Sequence, residues 1–402
     1  MIGFDNATAA IASARRTSAV DRYSSMNFDV ELQPLAELAS LTAEWRLLAA
    51  CALEPNVFYE PSFALAAAPL LGRDVQVGLV WSRAPRRLVG LFPVRIERRR
   101  FGVPFPVVVG WTHSYAPLGT PLVDREMAEP VIATWLRYIA DNAALPDLML
   151  LPLIAQTGVF AATLTDLLAR SGCPSTSFGR HERALLLPGD SRADYFQRTM
   201  SGKRLRNMRR SHARLRELGA VTLGAEQDSD ALARGLDDFF ALEAAGWKGR
   251  AGTAASQDAD VRYFMERAVT ALGAENKVLI HSLRANGKAI AITIALKSGD
   301  SAWGWKVAYD EAYASYSPGV LAVAGFTETL LADPAITQAD SCATATDTMA
   351  SRLWNERLTL ADWLFTAAAD AEFSFALASR LEALRRAAIN AAKSARDHLR
   401  RR

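Results

Sequence analysis

Cysteine and histidine are scarce in this chain, three and five among 402 residues, and neither type clusters. Cys51, Cys173 and Cys342 are far apart and form no Cys-x-x-Cys pair. That spacing argues against a disulfide frame or a zinc site and fits a reducing compartment. No metal constellation is expected. Long apolar runs are missing as well: none approaches the roughly 18–20 residues a membrane-spanning helix needs. The stretch to about Ser25 carries Arg15-Arg16 without an apolar core after it, so no signal peptide is expected. Nor does one sign of charge dominate. A net charge of +3 gives no global reason for a specific nucleic-acid partner. What is plentiful is apolar material, half of all residues, in a chain longer than one core usually fills. A soluble, cytoplasmic α/β protein of two domains is the expectation.

Residues 1–28 are small, polar and aperiodic, and read as a disordered leader. Leu35, Leu38, Trp45 and Leu48 mark one face of a helix, and Pro61 opens another reaching about Leu71. Strands follow at Val75 to Trp81 and Leu88 to Ile96. Helices are expected over 126–142 and 157–171, with a short buried strand, Leu148 to Leu153, between them. A strand near Ala184 to Leu187 stops at Pro188-Gly189-Asp190, where the composition turns to a charged helix.

The second half repeats the first. Two helices and a strand pair run from Glu44-Trp45 to the turn at Pro85, and again from Asp238-Phe239 to the turn at Asn286-Gly287. Asn-Gly supplies the positive φ of a two-residue hairpin. A second reversal at Ser298-Gly299-Asp300 leads to a strand with Trp303, Trp305 and Val307 on one face. Then Ser315-Tyr316-Ser317-Pro318 echoes Ser114-Tyr115-Ala116-Pro117, and only the later copy runs straight into a helix. Pro318 suits a first helical turn, where unpartnered amides and the macrodipole favour a phosphate. The reading is an internal duplication in which the first half kept the scaffold and lost the anion site.

Ser201 to Arg210, Gly246-Trp247-Lys248-Gly249-Arg250, Tyr316-Ser317-Pro318-Gly319 and Asp347-Thr348-Met349 with Trp354 together carry a resemblance. The chain resembles the CelD-type acetyltransferases linked to cellulose and exopolysaccharide synthesis, in the Gcn5-related N-acetyltransferase (GNAT) superfamily. The likeness covers about residues 30 to 365 and is strongest from 190 on. It implies tandem acetyltransferase-like domains, as in the Fem-type aminoacyltransferases, each with a mixed, largely antiparallel sheet flanked by helices. The first domain is expected over 29–190 and the second over 191–365, followed by a basic helix over 366–402. Acetyl-CoA or another acyl-CoA is the implied co-substrate, without a metal. One departure stands out: the superfamily's pyrophosphate loop has glutamine or arginine before paired glycines, whereas here Gly319 stands alone beside Pro318.

Acyl transfer needs a polarised thioester carbonyl, an unprotonated amine and a departing thiolate. The carrier is expected on Ser317, Pro318, Gly319 and Val320, with Trp305 along the pantetheine arm or simply buried. Tyr316, or else Tyr313, is the candidate acid for the thiolate. Asp347, ahead of Glu243 and Asp310, is the candidate base, or else a capping aspartate. His281 reads as a core histidine. Arg206 and Arg210 of the basic helix, Trp247 and Lys248 of the glycine-flanked turn, and Trp354 are the candidate contacts to the acceptor. The basic helix otherwise remains a solvated face. After Phe365, Leu377, Leu381 and Leu384 form a thin seam on a basic helix that packs on its own domain, pairs with another chain or meets an anionic membrane.

The expected activity is acyl transfer from acyl-CoA to an amine, or to a hydroxyl, of a saccharide or other small acceptor. A Fem-like transfer from aminoacyl-tRNA is one alternative. A non-catalytic partner of a membrane-bound polysaccharide synthase is the other.

Overall fold

The computed structural model describes residues 28–400 except 190, 191, 193, 227 and 344–347, and for 396–400 only the helical backbone. The leader, Asp347 and the end of the terminal Arg400-Arg401-Arg402 run lie outside the described residues. In the first half, strands β1 (Phe28–Pro34), β2 (Gln76–Arg83), β3 (Arg86–Glu97), β4 (Val107–Gly110), β5 (Leu122–Val123), β6 (Leu148–Ala155) and β7 (Ser175–Leu186) alternate with helices. These are α1 (Thr42–Ala50), α2 (Pro61–Leu71), α3 (Ala128–Asp141) and α4 (Val159–Ser171). The second half opens with α5 (Tyr195–Thr199), α6 (Gly202–Arg216), β8 (Val221–Glu226), α7 (Ser229–Ala245), α8 (Trp247–Arg250) and α9 (Ala259–Ala274). It continues through β9 (Val278–Ala285), β10 (Lys288–Ser298), β11 (Ser301–Tyr309), α10 (Pro318–Ala332), β12 (Gln338–Asp340), β13 (Glu356–Thr366) and α11 (Glu372–Arg400).

One mixed sheet of 13 strands runs through the molecule in the order β1-β2-β3-β4-β6-β13-β7-β12-β11-β10-β9-β8, with β5 on β3. Read from either end, the order visits equivalent strands. Each half has one parallel pair, β4 with β6 and β11 with β12, and the other pairings are antiparallel. At the centre the last strand of each half is exchanged. β13 pairs with β6 of the first half, β7 pairs with β12 of the second, and β7 and β13 pair with each other. The stretch 356–366, placed by sequence in the second half, therefore lies inside the first half's sheet.

Local chemistry accounts for the turns that build the second half. Asn286 and Gly287 both have positive φ, 49° and 81°, the pair a type I′ hairpin requires. Asp258 caps α9 by accepting the amides of Asp260 and Val261. The largest apolar cluster joins the halves, with Phe58, Phe63 and Trp111 meeting Phe264, Trp303 and Trp305. One expectation changes, and one left open is narrowed. The single helix over Leu35 to Leu48 begins as a 3-10 turn, Leu35–Leu41, before α1. The terminal leucine seam is open, with Leu384 67% and Leu377 38% exposed. α11 is instead anchored by Glu382, wholly buried against Arg100 and Arg386.

Candidate active site

β11 and β12 run side by side only from Ser301–Gln338 to Trp303–Asp340. Beyond that point β11 continues to Tyr309 without a strand on its β12 side. Trp305 is the extra residue of a bulge, since Ile294 faces Lys306 while Ala295 faces Gly304. A bulge bends and twists its strand, and here it falls where the two strands part. The gap holds a cavity of about 450 Å³ whose walls include Gly304, Lys306, Tyr309, Gly319, Met349 and Trp354.

The start of α10 forms one side of this cavity. Ser317 sits in the left-handed region at φ 53°, ψ 50°, and turns the chain from a 3-10 turn, Glu311–Tyr316, into Pro318. Pro318 has no amide hydrogen, and Val320 and Leu321 both donate to the Ser317 carbonyl at 3.0 and 3.1 Å. The Gly319 amide is left without a partner among the described residues. One unpartnered amide with the helix dipole behind it therefore belongs to a residue of the cavity wall, where the sequence suggested several. Gly319 is required by close approach: a Cβ there would lie 2.4 Å from Met349 Sδ and 3.3 Å from Tyr309 Cδ1.

Of the residues anticipated for the carrier, Ser317, Pro318, Gly319 and Val320 all line this cavity. Trp305 does not. Its bulged position aims the indole at the other half, where it is buried, donates to the Tyr115 carbonyl at 2.8 Å and packs against Phe63 and Phe264. The bulge also breaks the shared face foreseen for Trp303, Trp305 and Val307, because Val307 turns to the cavity. Tyr316 is likewise absent from the walls; its ring lies beneath the Arg214 guanidinium, 5.0 Å away, and beside Tyr313. Asp347 falls outside the described residues.

The anticipated acceptor contacts divide among three places. Trp354 is buried in the cavity wall, its indole donating to the Thr327 hydroxyl at 2.9 Å. Trp247, 60% exposed, and Lys248 border a separate small recess with Val307 and Tyr309. Lys248 is ion-paired there with the buried Glu243, which also accepts the Ala255 amide. Arg206 and Arg210 are exposed on α6, away from the cavity walls. His281 is buried below α10, where a side chain at Gly325 would meet its ring. Burial pushes it down to about 4.

Sequence reasoning missed Lys306. It lines the cavity half-buried, with no carboxylate within ion-pair distance among the described residues, and its Nζ lies 4.0 Å from the Tyr115 ring centroid and 5.7 Å from that of Trp305. Burial, then repulsion from Lys248, push it down to about 8, with Glu243 acting the other way. The available signal was one charged residue inside an otherwise uncharged strand, Ser301–Tyr309.

The first half is closed at the equivalent place. Gly119 donates to the Leu153 carbonyl, filling the space where β4 and β6 part, and a Cβ on it would meet the Pro152 carbonyl oxygen at 1.9 Å. Just before α3, the buried Asp124 accepts the Glu126 amide and pairs with Arg87. A fixed carboxylate thus stands near the entry of α3, whereas the start of α10 lines a cavity.

Residues 202–347 match a family model described as an acetyltransferase (GNAT) domain. Over that stretch the chain is similar to a GNAT-type acetyltransferase domain, and its fold as a whole is similar to that of known structures. FemX is similar in structure, with TM-score 0.57 and 10% identity, over 80% of this chain and 95% of that one. L-PGS from Bacillus licheniformis has TM-score 0.50 and 15% identity, over 87% and 97%. A tandem GNAT protein from the clavulanic acid biosynthesis pathway has TM-score 0.42 and 13% identity, over 85% and 99%. No curated protein matches the chain in sequence.

Proposed function

We propose that this protein transfers an acyl group from acyl-CoA to an amine, or less readily a hydroxyl, on a polysaccharide precursor or amino sugar, as the CelD-type resemblance implies. The observation that carries the reading is the cavity between the diverging β11 and β12, with the open Gly319 amide at its side. In this reading the diphosphate rests on the start of α10, and the pantetheine arm follows the unpaired edge of β11. Amides on that edge, held rigid by β10 behind them, polarise the thioester carbonyl without reorganising during reaction. A thiol with an ordinary pKa near ~8.5 leaves with little help from an acid, so the placement of Tyr316 outside the cavity costs little.

Calorimetry with acetyl-CoA tests this on the wild type and on Gly319→Val. The wild type should bind saturably. The valine side chain drives Met349 into the cavity and should weaken binding by roughly tenfold or more, about 1.4 kcal/mol, with the melting temperature as a control for folding. Absence of wild-type binding would overturn the proposal.

A second reading is aminoacyl transfer from a charged tRNA. It is favoured by α6, whose exposed Lys203, Arg206, Arg209, Arg210 and Arg214 have no carboxylate partner among the described residues. Such a face suits a phosphate backbone. Salt-sensitive tRNA binding together with no acetyl-CoA binding would select it.

A further inference from the structure

Lys306 occupies an unusual position for a lysine. It lines the cavity that opens beside Gly319, and its amine also meets the Tyr115 ring contributed by the first half. The small recess holding Trp247, Lys248 and Glu243 also borders β11, at Val307, Ala308 and Tyr309. Lys306 thus belongs both to the cavity wall and to the contact with the first half.

We propose that Lys306 is itself an acyl acceptor, taking the acyl group from a thioester bound in this cavity; this rests on the acyl-CoA reading above. In the step, the uncharged Nζ attacks the thioester carbonyl carbon. A C–N bond forms, the C–S bond breaks, and the sulfur leaves with the electron pair as a thiolate. The proton released from nitrogen passes to that thiolate or to solvent, and no oxidant or reductant is involved. The product is an amide, which does not hand the acyl group on. Acylation also removes the lysine's charge and fills the approach from the seam, so the modified protein should transfer poorly to any external amine.

Burial favours the reactive, uncharged amine, whereas the Tyr115 ring face favours the charged form. Among the described residues no carboxylate holds Lys306 in an ion pair; the nearby Glu243 is engaged by Lys248 and by the Ala255 amide. Lys248 on α8 repels it, Glu243 on α7 and Cys342 after β12 act in the opposite sense, and His113 and Tyr115 face it from the first half. Burial outweighs the attractions, leaving the amine near pH 8 rather than at the ordinary lysine value. A desolvated lysine beside a second cation is a recognised way to make this side chain a nucleophile near neutral pH.

The test incubates the full-length protein with acetyl-CoA, follows intact mass and maps acetylated peptides, with calorimetric binding measured on the same sample. One acetyl group should accumulate on Lys306, at least tenfold faster than on the exposed Lys203. Its rate should rise with pH up to about 8 and then level off. Lys306→Arg should abolish that acetylation while still binding acetyl-CoA. Lys248→Met, which removes the repelling cation and frees Glu243, should move the pH midpoint upward. Binding of acetyl-CoA without preferential acetylation of Lys306, or a midpoint unmoved by Lys248→Met, refutes this inference and leaves the carrier reading intact. No binding at all removes the carrier reading and this inference with it.

Discussion

At the scale of single residues, burial and close approach set the chemistry. Gly319 and Gly325 let Met349 and His281 approach α10 where any side chain would collide. His113, stacked among Phe63, Trp111 and Tyr115, keeps its Nε2 buried without a partner. Burial, then Arg95 and Lys306, push it down to about 3 from an ordinary value of 6.5. The folded protein therefore keeps His113 neutral while the unfolded chain takes up a proton below pH 6.5. Its contribution to stability is intact above that pH and is lost as the pH falls towards 3, at roughly 1.4 kcal/mol per pH unit within the window. His113→Phe should cost some stability at pH 7.5, because the Tyr115 amide loses its acceptor, yet close the gap to the wild type on acidification. Urea melts at pH 7.5 and 5 check this, and a gap that stays constant counts against the assignment. Gly319 was legible in the sequence beside Pro318. Lys306 and His113 were not, because what distinguishes them is the company supplied by the opposite half.

At the scale of elements, the hairpin around Asn286-Gly287, the capped α9 and the proline-led α10 follow from local rules and were legible. α11 shows where such rules fail. Its thin leucine seam was compatible with its own domain, another chain or a membrane, and in the structure the helix is held by Ala378 and by Glu382 in a pocket of guanidinium groups. Burial alone would push the Glu382 carboxyl up, but Arg100 and Arg386 outweigh it and hold it below the ordinary range. Glu382→Ala leaves Arg100 with Glu97 alone and should destabilise the protein by up to about 3–5 kcal/mol, the range for breaking a buried pair. Arg100→Met combined with Glu382→Leu should recover most of that loss. Equilibrium urea unfolding measures both, and an unaltered midpoint in Glu382→Ala would show that α11 is anchored by something else.

At the scale of the whole molecule, the exchanged strands decide what can fold alone. The central pairings of the first half run through β13, which comes from the far end of the chain. A fragment covering residues 28–190 lacks that strand, exposes the inner edges of β6 and β7, and should be unfolded or aggregated. A synthetic peptide of residues 356–366 should raise its structure content. Circular dichroism and size-exclusion chromatography read the outcome, and a monomeric, cooperatively melting fragment without the peptide would contradict the prediction. The duplication itself was legible, since both copies repeat helices and strands in one order, and the end-to-end symmetry of the sheet agrees with it. The exchange was not, because nothing in Glu356–Thr366 itself specifies which strands it will separate.

The sequence by itself determined the elements, their repetition and the proline-led start of α10. These rest on propensities and turn geometries confined to a few neighbouring residues. Only the tertiary structure decided that Trp305 faces the other half, that Tyr316 leaves the cavity, that Lys306 enters it and that β13 joins the first half's sheet. Each of these depends on groups far apart in the chain, whose desolvation and packing exist only once the two halves have closed on each other.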